Sequence, residues 1–264
     1  MVATELTKEF SSVYGPVVSW RYGRSLGIDP IGQTSVCSFN CVYCQLGEIE
    51  IVTSDRAIYV PTETILQDLQ EFAPWDVDIV TLSGSGEPTL ALNLKEILQG
   101  IKQMTGKPTL VLTNGTLLDN PQVRADLDFA DRVSVKLDAI SDRPLSGVNR
   151  PVEGLDLEQM WAGILEFRRH YSGDIGVQTM ILSPWTSDTQ ERYIAMMAEL
   201  SPVEIQLNTP SRPKPVKRQL DGRGNHYNDR PYEVRQLKCV EVEVLQEFGD
   251  RIQAKTGIPV RYRG

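Results

Sequence analysis

Cys37, Cys41 and Cys44 stand in the run Cys37-Ser38-Phe39-Asn40-Cys41-Val42-Tyr43-Cys44, a C-x3-C-x2-C loop. Three thiolates at that spacing suit one cubic iron–sulfur cluster and withhold a fourth ligand, so one iron stays open to bind something else. An open iron is what a reactive cluster needs. Zinc is the competing occupant, but it asks for a fourth Cys or His. The chain has only His170 and His226, both far away in sequence, and the paired C-x2-C of zinc knuckles is absent. A disulfide framework fits less well still, because four cysteines in 264 residues cannot staple a small secreted domain, and a chain this long builds its own core. Reduced thiols and a cytoplasmic location are expected.

Composition narrows the class. With 41% hydrophobic residues over 264 positions, the chain fits one large domain or a barrel with an appendage. The start, Met1 to Phe10, shows neither a basic leader followed by an apolar run nor an Arg-rich transit composition, and no stretch approaches the ~20 apolar residues that cross a bilayer. A soluble protein is expected. Its net charge of −8 argues against general affinity for nucleic acid while leaving room for a local basic patch.

The elements that must position the thiols alternate. Pro61 to about Phe72 reads as a helix, Asp78 to Leu82 as a buried strand running into Ser83-Gly84-Ser85-Gly86-Glu87-Pro88, Asn93 to Thr105 as a helix stopped by Gly106, and Pro108 to Thr113 as a strand. A helix near Pro121 to Asp128, the strand Arg132 to Leu137, a helix carrying Leu157, Met160, Trp161, Ile164 and Leu165, the strand Ile175 to Leu182, the helix Thr189 to Leu200 and the strand Val203 to Leu207 continue the series. With a first strand leading into the cysteine loop, that makes about six β/α units. The expected fold is α/β, an incomplete (β/α)6 parallel barrel over 30–210, preceded by an N-terminal extension (1–29) and followed by a C-terminal loop-helix-strand extension (211–264) packing on the barrel. In that extension Val234, Leu237, Val240, Val244, Leu245, Phe248 and Ile252 form the stripe of one long helix, and a short strand follows at Ile258 to Tyr262. Parallel α/β sheets carry chemistry at the C-terminal ends of their strands, where the cysteine loop, Ser83 to Pro88, Thr113-Asn114-Gly115, Lys136 to Asp138 and Asn208 all fall.

The cysteine triplet with Tyr43, followed about forty residues on by a strand and a Gly-Glu-Pro segment, resembles the radical S-adenosylmethionine superfamily over roughly residues 30 to 210. Tyr22 to Pro30 and Ser83 to Leu90 are similar to the iron–sulfur oxidoreductase branch that includes the tRNA wyosine synthases. The resemblance implies that Cys37, Cys41 and Cys44 hold one [4Fe–4S] cluster whose open iron chelates the amino and carboxylate groups of S-adenosylmethionine, with Tyr43 beside the adenine. It implies one-electron cleavage of the C5′–S bond and a 5′-deoxyadenosyl radical that takes hydrogen from a substrate. Two departures stand out. Ser85 replaces a glycine of the usual Gly-Gly-Glu, and residues 1 to 36 lack the extra cysteines of wyosine synthases, which puts that reaction in doubt.

Further cofactor contacts are expected on physical grounds. Gly84 and Gly86 allow close backbone approach to a ligand, and Glu87 can accept from the methionine ammonium. Ser134 and Lys136 alternate with Val133, Val135 and Leu137, so they share a face. If that face is the barrel interior, Lys136 needs an anion such as the methionine carboxylate; otherwise it points outward or pairs with Asp138. Gln178 and Asn208 hold equivalent positions at later strand ends. Cys239 falls about 200° around a helix from Leu237 and is expected to be an exposed free thiol.

As for partners, a lone cluster needs an external one-electron donor, flavodoxin or ferredoxin. Residues 212–238 carry eight basic side chains against three acidic ones, which reads either as solvated loop charge or as a surface for a phosphorylated small molecule or RNA. Two other functions share the cluster loop: an activase installing a glycyl radical on a partner enzyme, and a non-catalytic iron–sulfur electron-transfer protein.

Overall fold

Leu94, Ile97, Leu98 and Ile101 recur at helical spacing and are all buried, while Ile79, Val80 and Leu82 form a short continuous apolar run. The first pattern makes an amphipathic helix and the second a parallel strand covered on both sides. The computed structural model describes residues 10–223 and 232–263. Its strands are β1 (Val13–Ser19), β2 (Gly23–Ile28), β3 (Val36–Cys37), β4 (Ile51–Val52), β5 (Ile79–Leu82), β6 (Thr109–Thr113), β7 (Arg132–Lys136), β8 (Asp174–Met180), β9 (Glu204–Asn208), β10 (Lys214–Pro215), β11 (Val234–Arg235) and β12 (Val260–Arg263). The helices are α1 (Thr62–Gln70), α2 (Leu94–Thr105), α3 (Pro121–Leu127), α4 (Asp142–Val148), α5 (Leu157–His170), α6 (Ser187–Leu200) and α7 (Val242–Thr256).

One eight-stranded sheet runs in the order β1-β2-β5-β6-β7-β8-β9-β12. All its pairings are parallel except the β1–β2 hairpin. The sheet curls into an open half-barrel, the fold expected from the β/α alternation. Its six central parallel strands match the six units read from sequence, and β12 adds a seventh by pairing with β9. Residues 13–28, read as part of an N-terminal extension, supply two strands of this sheet.

Local signals end the elements where the sequence indicates. Asn93 precedes α2 and Gly106 closes it in the left-handed region at φ 63°. Asp156 and Thr186 accept from the first-turn amides of α5 and α6. Two expectations need correction. The long helix predicted from Val234 begins only at Val242, because Val234 and Arg235 pair in an antiparallel ribbon with Pro215 and Lys214. A local apolar stripe could not reveal that non-local pairing. Cys239 is exposed as expected, but in a loop, where its Sγ lies 3.4 Å from the Pro210 carbonyl. Helical phasing is therefore not the reason for its exposure. Helix α7 packs on α6 through Phe248, whose ring centroid lies 5.5 Å from that of Tyr193 and 5.6 Å from that of Trp185.

Alternation along the strands decides which residues face inward. Val133, Val135 and Val177 join the core beneath the helices, whereas Ser134, Lys136 and Gln178 turn to the concave side of the sheet. No helix among the described residues is long and apolar enough to cross a membrane.

Candidate active site

The loop from Val36 to Cys44 is held on two sides. On one, the Val36 amide donates to the Ser85 carbonyl and the Glu87 amide donates to the Val36 carbonyl, both at 3.1 Å. On the other, the Asn40 and Val42 amides donate to the Asn149 and Val148 carbonyls at 2.9 Å, and the Val152 amide donates to Ser38 at 2.8 Å. The loop thus sits between the β5–α2 connection and the end of α4. Helix α4 and Asn149 were not legible in the sequence, because no periodic run marks so short a helix.

All three thiols border one cavity of about 370 Å³ at the C-terminal ends of the parallel strands. Gly84, Gly86, Glu87, Ser134, Lys136, Gln178, Asn208 and Tyr43 line the same space. Ser85 does not, because its side chain turns away and its Oγ accepts from Arg218 Nη2 at 2.8 Å. Burial pushes all three thiols up, Cys41 to about 12 despite the opposing Lys136 charge. They are not held as thiolates by the protein alone; a bound metal would make them so. The Asn114 amide reaches Cys37 Sγ at 3.7 Å, and Asn149 Nδ2 donates to Cys41 Sγ at 3.4 Å. The Asn149 amide also donates to Asp138 at 2.8 Å, and Asp138 accepts from the buried Tyr43 hydroxyl.

Several expected roles gain a structural counterpart once the contacts are known. A Cβ on Gly86 would lie 1.6 Å from the Val36 carbonyl oxygen, and one on Gly84, at φ 136°, would lie 2.4 Å from the Asp29 carboxyl carbon. The approach of the chain to itself already requires glycine at both positions, and both line the cavity where close approach of a ligand is expected. Glu87 is 3% exposed, and its carboxylate accepts from Thr89 N and Oγ1, Thr113 Oγ1 and the Asn114 amide. Burial raises its pKa, and those four donors pull it back. Three of these bonds fall on Oε1 and one, from the Asn114 amide, on Oε2, so Glu87 ties two strand ends together while Oε2 keeps room for a further donor from the cavity. Lys136 satisfies both readings of its face: it lines the cavity, 4.6 Å from the Tyr43 ring centroid, and lies 4.0 Å from Asp138. Gln178 Oε1 accepts from Arg21 at 3.0 Å, and Asn208 Nδ2 donates to the Gln206 carbonyl at 3.3 Å.

The Radical SAM superfamily model matches residues 32–197, more than half of the chain. The chain belongs to the radical SAM superfamily. A UPF0026 protein of Synechocystis sp. is 57% identical over 256 residues, 96% of each chain. A UPF0026 protein of Methanocaldococcus jannaschii is 33% identical over 210 residues, 77% of this chain and 65% of that one. Among solved structures, Streptococcus suis SuiB bound to S-adenosylmethionine superposes with a TM-score of 0.62 at 13% identity, covering 88% of this chain and 49% of that chain. This chain spans about half the length of SuiB, and at that identity the likeness concerns the half-barrel alone.

The residues present fit the groups that define a radical SAM protein. Among the described residues no three Cys, His, Asp or Glu side chains converge as ligands of a single metal ion would, whereas a cube asks each thiolate to meet a different iron. On the wall of the same cavity, the buried Ser134 Oγ lacks a hydrogen-bond partner among the described residues, as suits a side chain that would meet a polar ligand. The site's departure at Ser85 is also explained, because the side chain occupies room beside Arg218, outside the cavity. Replacing Ser85 with glycine is expected to cost about 1–2 kcal/mol through the lost bond and the added chain freedom, with iron content per reconstituted chain unchanged. Urea unfolding and iron analysis check this; lost iron would mean that the side chain supports the cluster loop directly.

Proposed function

We propose that the protein is a radical SAM enzyme in which Cys37, Cys41 and Cys44 hold one [4Fe–4S] cluster and the adjoining cavity holds S-adenosylmethionine. The observation that carries this reading is the meeting of three thiols with Ser134, Lys136, Gln178 and Asn208 on the wall of one cavity. Bound together, the two groups supply reductive cleavage of the C5′–S bond and abstraction of a hydrogen atom from substrate.

The chain's own residues bind, orient and exclude. Lys136 offers its ammonium to the methionine carboxylate, and its position over the Tyr43 ring restrains it there. The Ser134 hydroxyl, Gln178 and Asn208 offer hydrogen bonds to the ribose and the amino acid end. Asn149, which donates to Cys41 Sγ, and Asn114, whose amide approaches Cys37 Sγ, temper the charge of those thiolates. Phe39, Leu46 and Ile49 supply apolar wall that keeps water from the thiols. The sequence has one cysteine beyond the triplet, Cys239, so electrons come from an external one-electron donor such as flavodoxin or ferredoxin.

The test is anaerobic reconstitution with iron and sulfide, addition of dithionite and S-adenosylmethionine, and mass spectrometry of 5′-deoxyadenosine. Its formation is expected. A cluster that assembles without cleavage under any reductant would instead favour an electron-transfer role. Lys136→Gln should raise the KM for S-adenosylmethionine about tenfold, the size of one charge-assisted bond, with the cluster absorbance unchanged. An unaltered KM would remove Lys136 from the cofactor site.

A further inference from the structure

Of the residues weighed for a phosphate-bearing partner between 212 and 238, Tyr227 and Arg230 lie outside the described residues, and Lys217, Arg235 and Lys238 are exposed. Three other basic side chains turn inward. Lys214 pairs with Glu48 at 2.7 Å, Arg218 donates to Ser85 Oγ at 2.8 Å, and Arg223 pairs with Asp29 at 2.8 Å. The strap from 212 to 223 is thereby drawn against the cluster loop. The Gln219 amide donates to the Leu46 carbonyl at 2.8 Å, and a Cβ on Gly222 would lie 2.3 Å from the Gln45 carbonyl oxygen.

Asp29 directly follows β2 and is fully buried. Its Oδ1 accepts from the Ile31 and Gly32 amides at 3.0 and 3.1 Å, which fixes the carboxylate to its own turn. Its Oδ2 accepts from the Ser85 amide at 3.0 Å and from Arg223 Nη1 at 2.8 Å. Among the described residues, Arg223 is the one cation within ion-pair distance of it. That guanidinium also donates to the Ser11 and Leu220 carbonyls, and its central carbon lies 5.0 and 5.1 Å from the ring centroids of Phe10 and Tyr14. A carboxylate without exposure needs such a set of donors and a cation, and its position follows theirs.

What Asp29 holds is the turn between β5 and α2. Ser85 gives its amide to Asp29, while its carbonyl accepts from the Val36 amide on the cluster loop. Gly84, at φ 136°, is pressed against the same carboxylate, since a Cβ there would lie 2.4 Å from the Asp29 carboxyl carbon. Two residues beyond Ser85, Glu87 lines the cavity, and its Oε2 has room for a further donor. The turn that carries Glu87 is therefore held by the cluster loop on one side and by Asp29 on the other.

We propose that the Asp29–Arg223 pair is a positioning latch for the cofactor site. Through the Ser85 amide it sets the turn whose Glu87 meets the methionine ammonium of S-adenosylmethionine, and through Arg223 it makes that setting depend on the strap from 212 to 223. This rests on the reading of the cavity as the S-adenosylmethionine site. Neither residue touches the ligand in this role; both act through the backbone of Ser85. Groups that orient a binding residue matter nearly as much as the residue itself, because a displacement of about 1 Å spoils a contact whose chemistry is intact. A pair that only stabilised the fold would lower the folded fraction and leave the affinity of each folded, cluster-loaded chain unaltered. A latch moves the affinity itself.

The experiment has two arms, both on the full chain. Hydrogen exchange of the metal-free protein reads the turn, and calorimetric titration of S-adenosylmethionine into the cluster-reconstituted protein, without reductant, reads the site per cluster. In Arg223→Gln, faster exchange over 83–87 is expected, with S-adenosylmethionine bound about tenfold more weakly, the lower end for losing a group that orients a binding residue. Arg223→Lys keeps a charge beside Asp29 without the guanidinium fork; it should show both changes to a smaller degree, and it carries the test if Arg223→Gln fails to fold. Arg251→Gln, which breaks a pair with Glu191 between α7 and α6, should change neither reading. Unchanged exchange over 83–87, faster exchange with unaltered affinity, or an equal loss of affinity in Arg251→Gln would overturn the proposal. A parent protein that binds no S-adenosylmethionine would remove the cavity reading and the proposal with it. Binding that weakens in Arg223→Gln while no deoxyadenosine forms would sink the radical reading alone and leave the latch standing.

Discussion

Cys41→Ala is expected to abolish the visible absorbance of the reconstituted cluster and all formation of 5′-deoxyadenosine, while Cys239→Ala leaves both intact. Cys41 borders the cavity with Cys37 and Cys44, and its removal leaves two thiols for a cube that needs three protein ligands to keep only one iron open. Cys239 is exposed, in a loop beside Pro210, and does not line the cavity. A graded comparison sharpens the result. Asn149 donates to Cys41 Sγ and to Asp138, so Asn149→Ala should weaken iron retention by about 10–100-fold, the usual cost of losing an outer partner. Iron and sulfide analysis with anaerobic activity assays distinguish the three variants. Retention of the cluster in Cys41→Ala, or its loss in Cys239→Ala, would show that the ligands are misassigned.

Gly86→Ala should be the most damaging change of a residue with no side chain. Its new Cβ would lie 1.6 Å from the Val36 carbonyl oxygen and 2.6 Å from the Val36 carbonyl carbon, and neither can swing aside as a side chain would. The Val36 carbonyl is itself held by the Glu87 amide, and Val36 immediately precedes Cys37. Relief requires moving the strand that carries the first thiol. The cost is expected at about 3 kcal/mol, the upper end for overpacking. In a chain of this size that lowers the melting temperature by about 6–12 °C, measured on the metal-free protein, and a drop in iron content should accompany it. A melting temperature within about 2 °C of the parent, with full iron loading, would mean that the loop yields at this point.

Much of the half-barrel was legible because parallel β/α units announce themselves locally. Asp78 to Leu82, Arg132 to Leu137 and Val203 to Leu207 are short apolar or alternating runs between amphipathic helices, and each became a strand within a residue or two of its expected ends. The misread helix start shows where that logic stops. The stripe from Val234 has helical spacing, but pairing with Lys214 and Pro215, a non-local contact, holds its first part in a ribbon.

At the site the same division holds. The sequence alone determined that three thiols stand together, because C-x3-C-x2-C places them in one loop whatever surrounds them, and the strand-end rule put Ser134, Lys136, Gln178 and Asn208 near them. Only the tertiary structure decided which way each of them faces and what it still has free. It used Glu87 to tie Thr113 and Asn114 to its own turn, turned Ser85 toward Arg218, assigned both glycines to contacts within the chain, and brought Asn149 to a thiol 108 positions away. The reason is physical: spacing along a chain fixes what a short loop can bind, but the demands on a buried polar group are met by whichever donors the fold brings within about 3 Å.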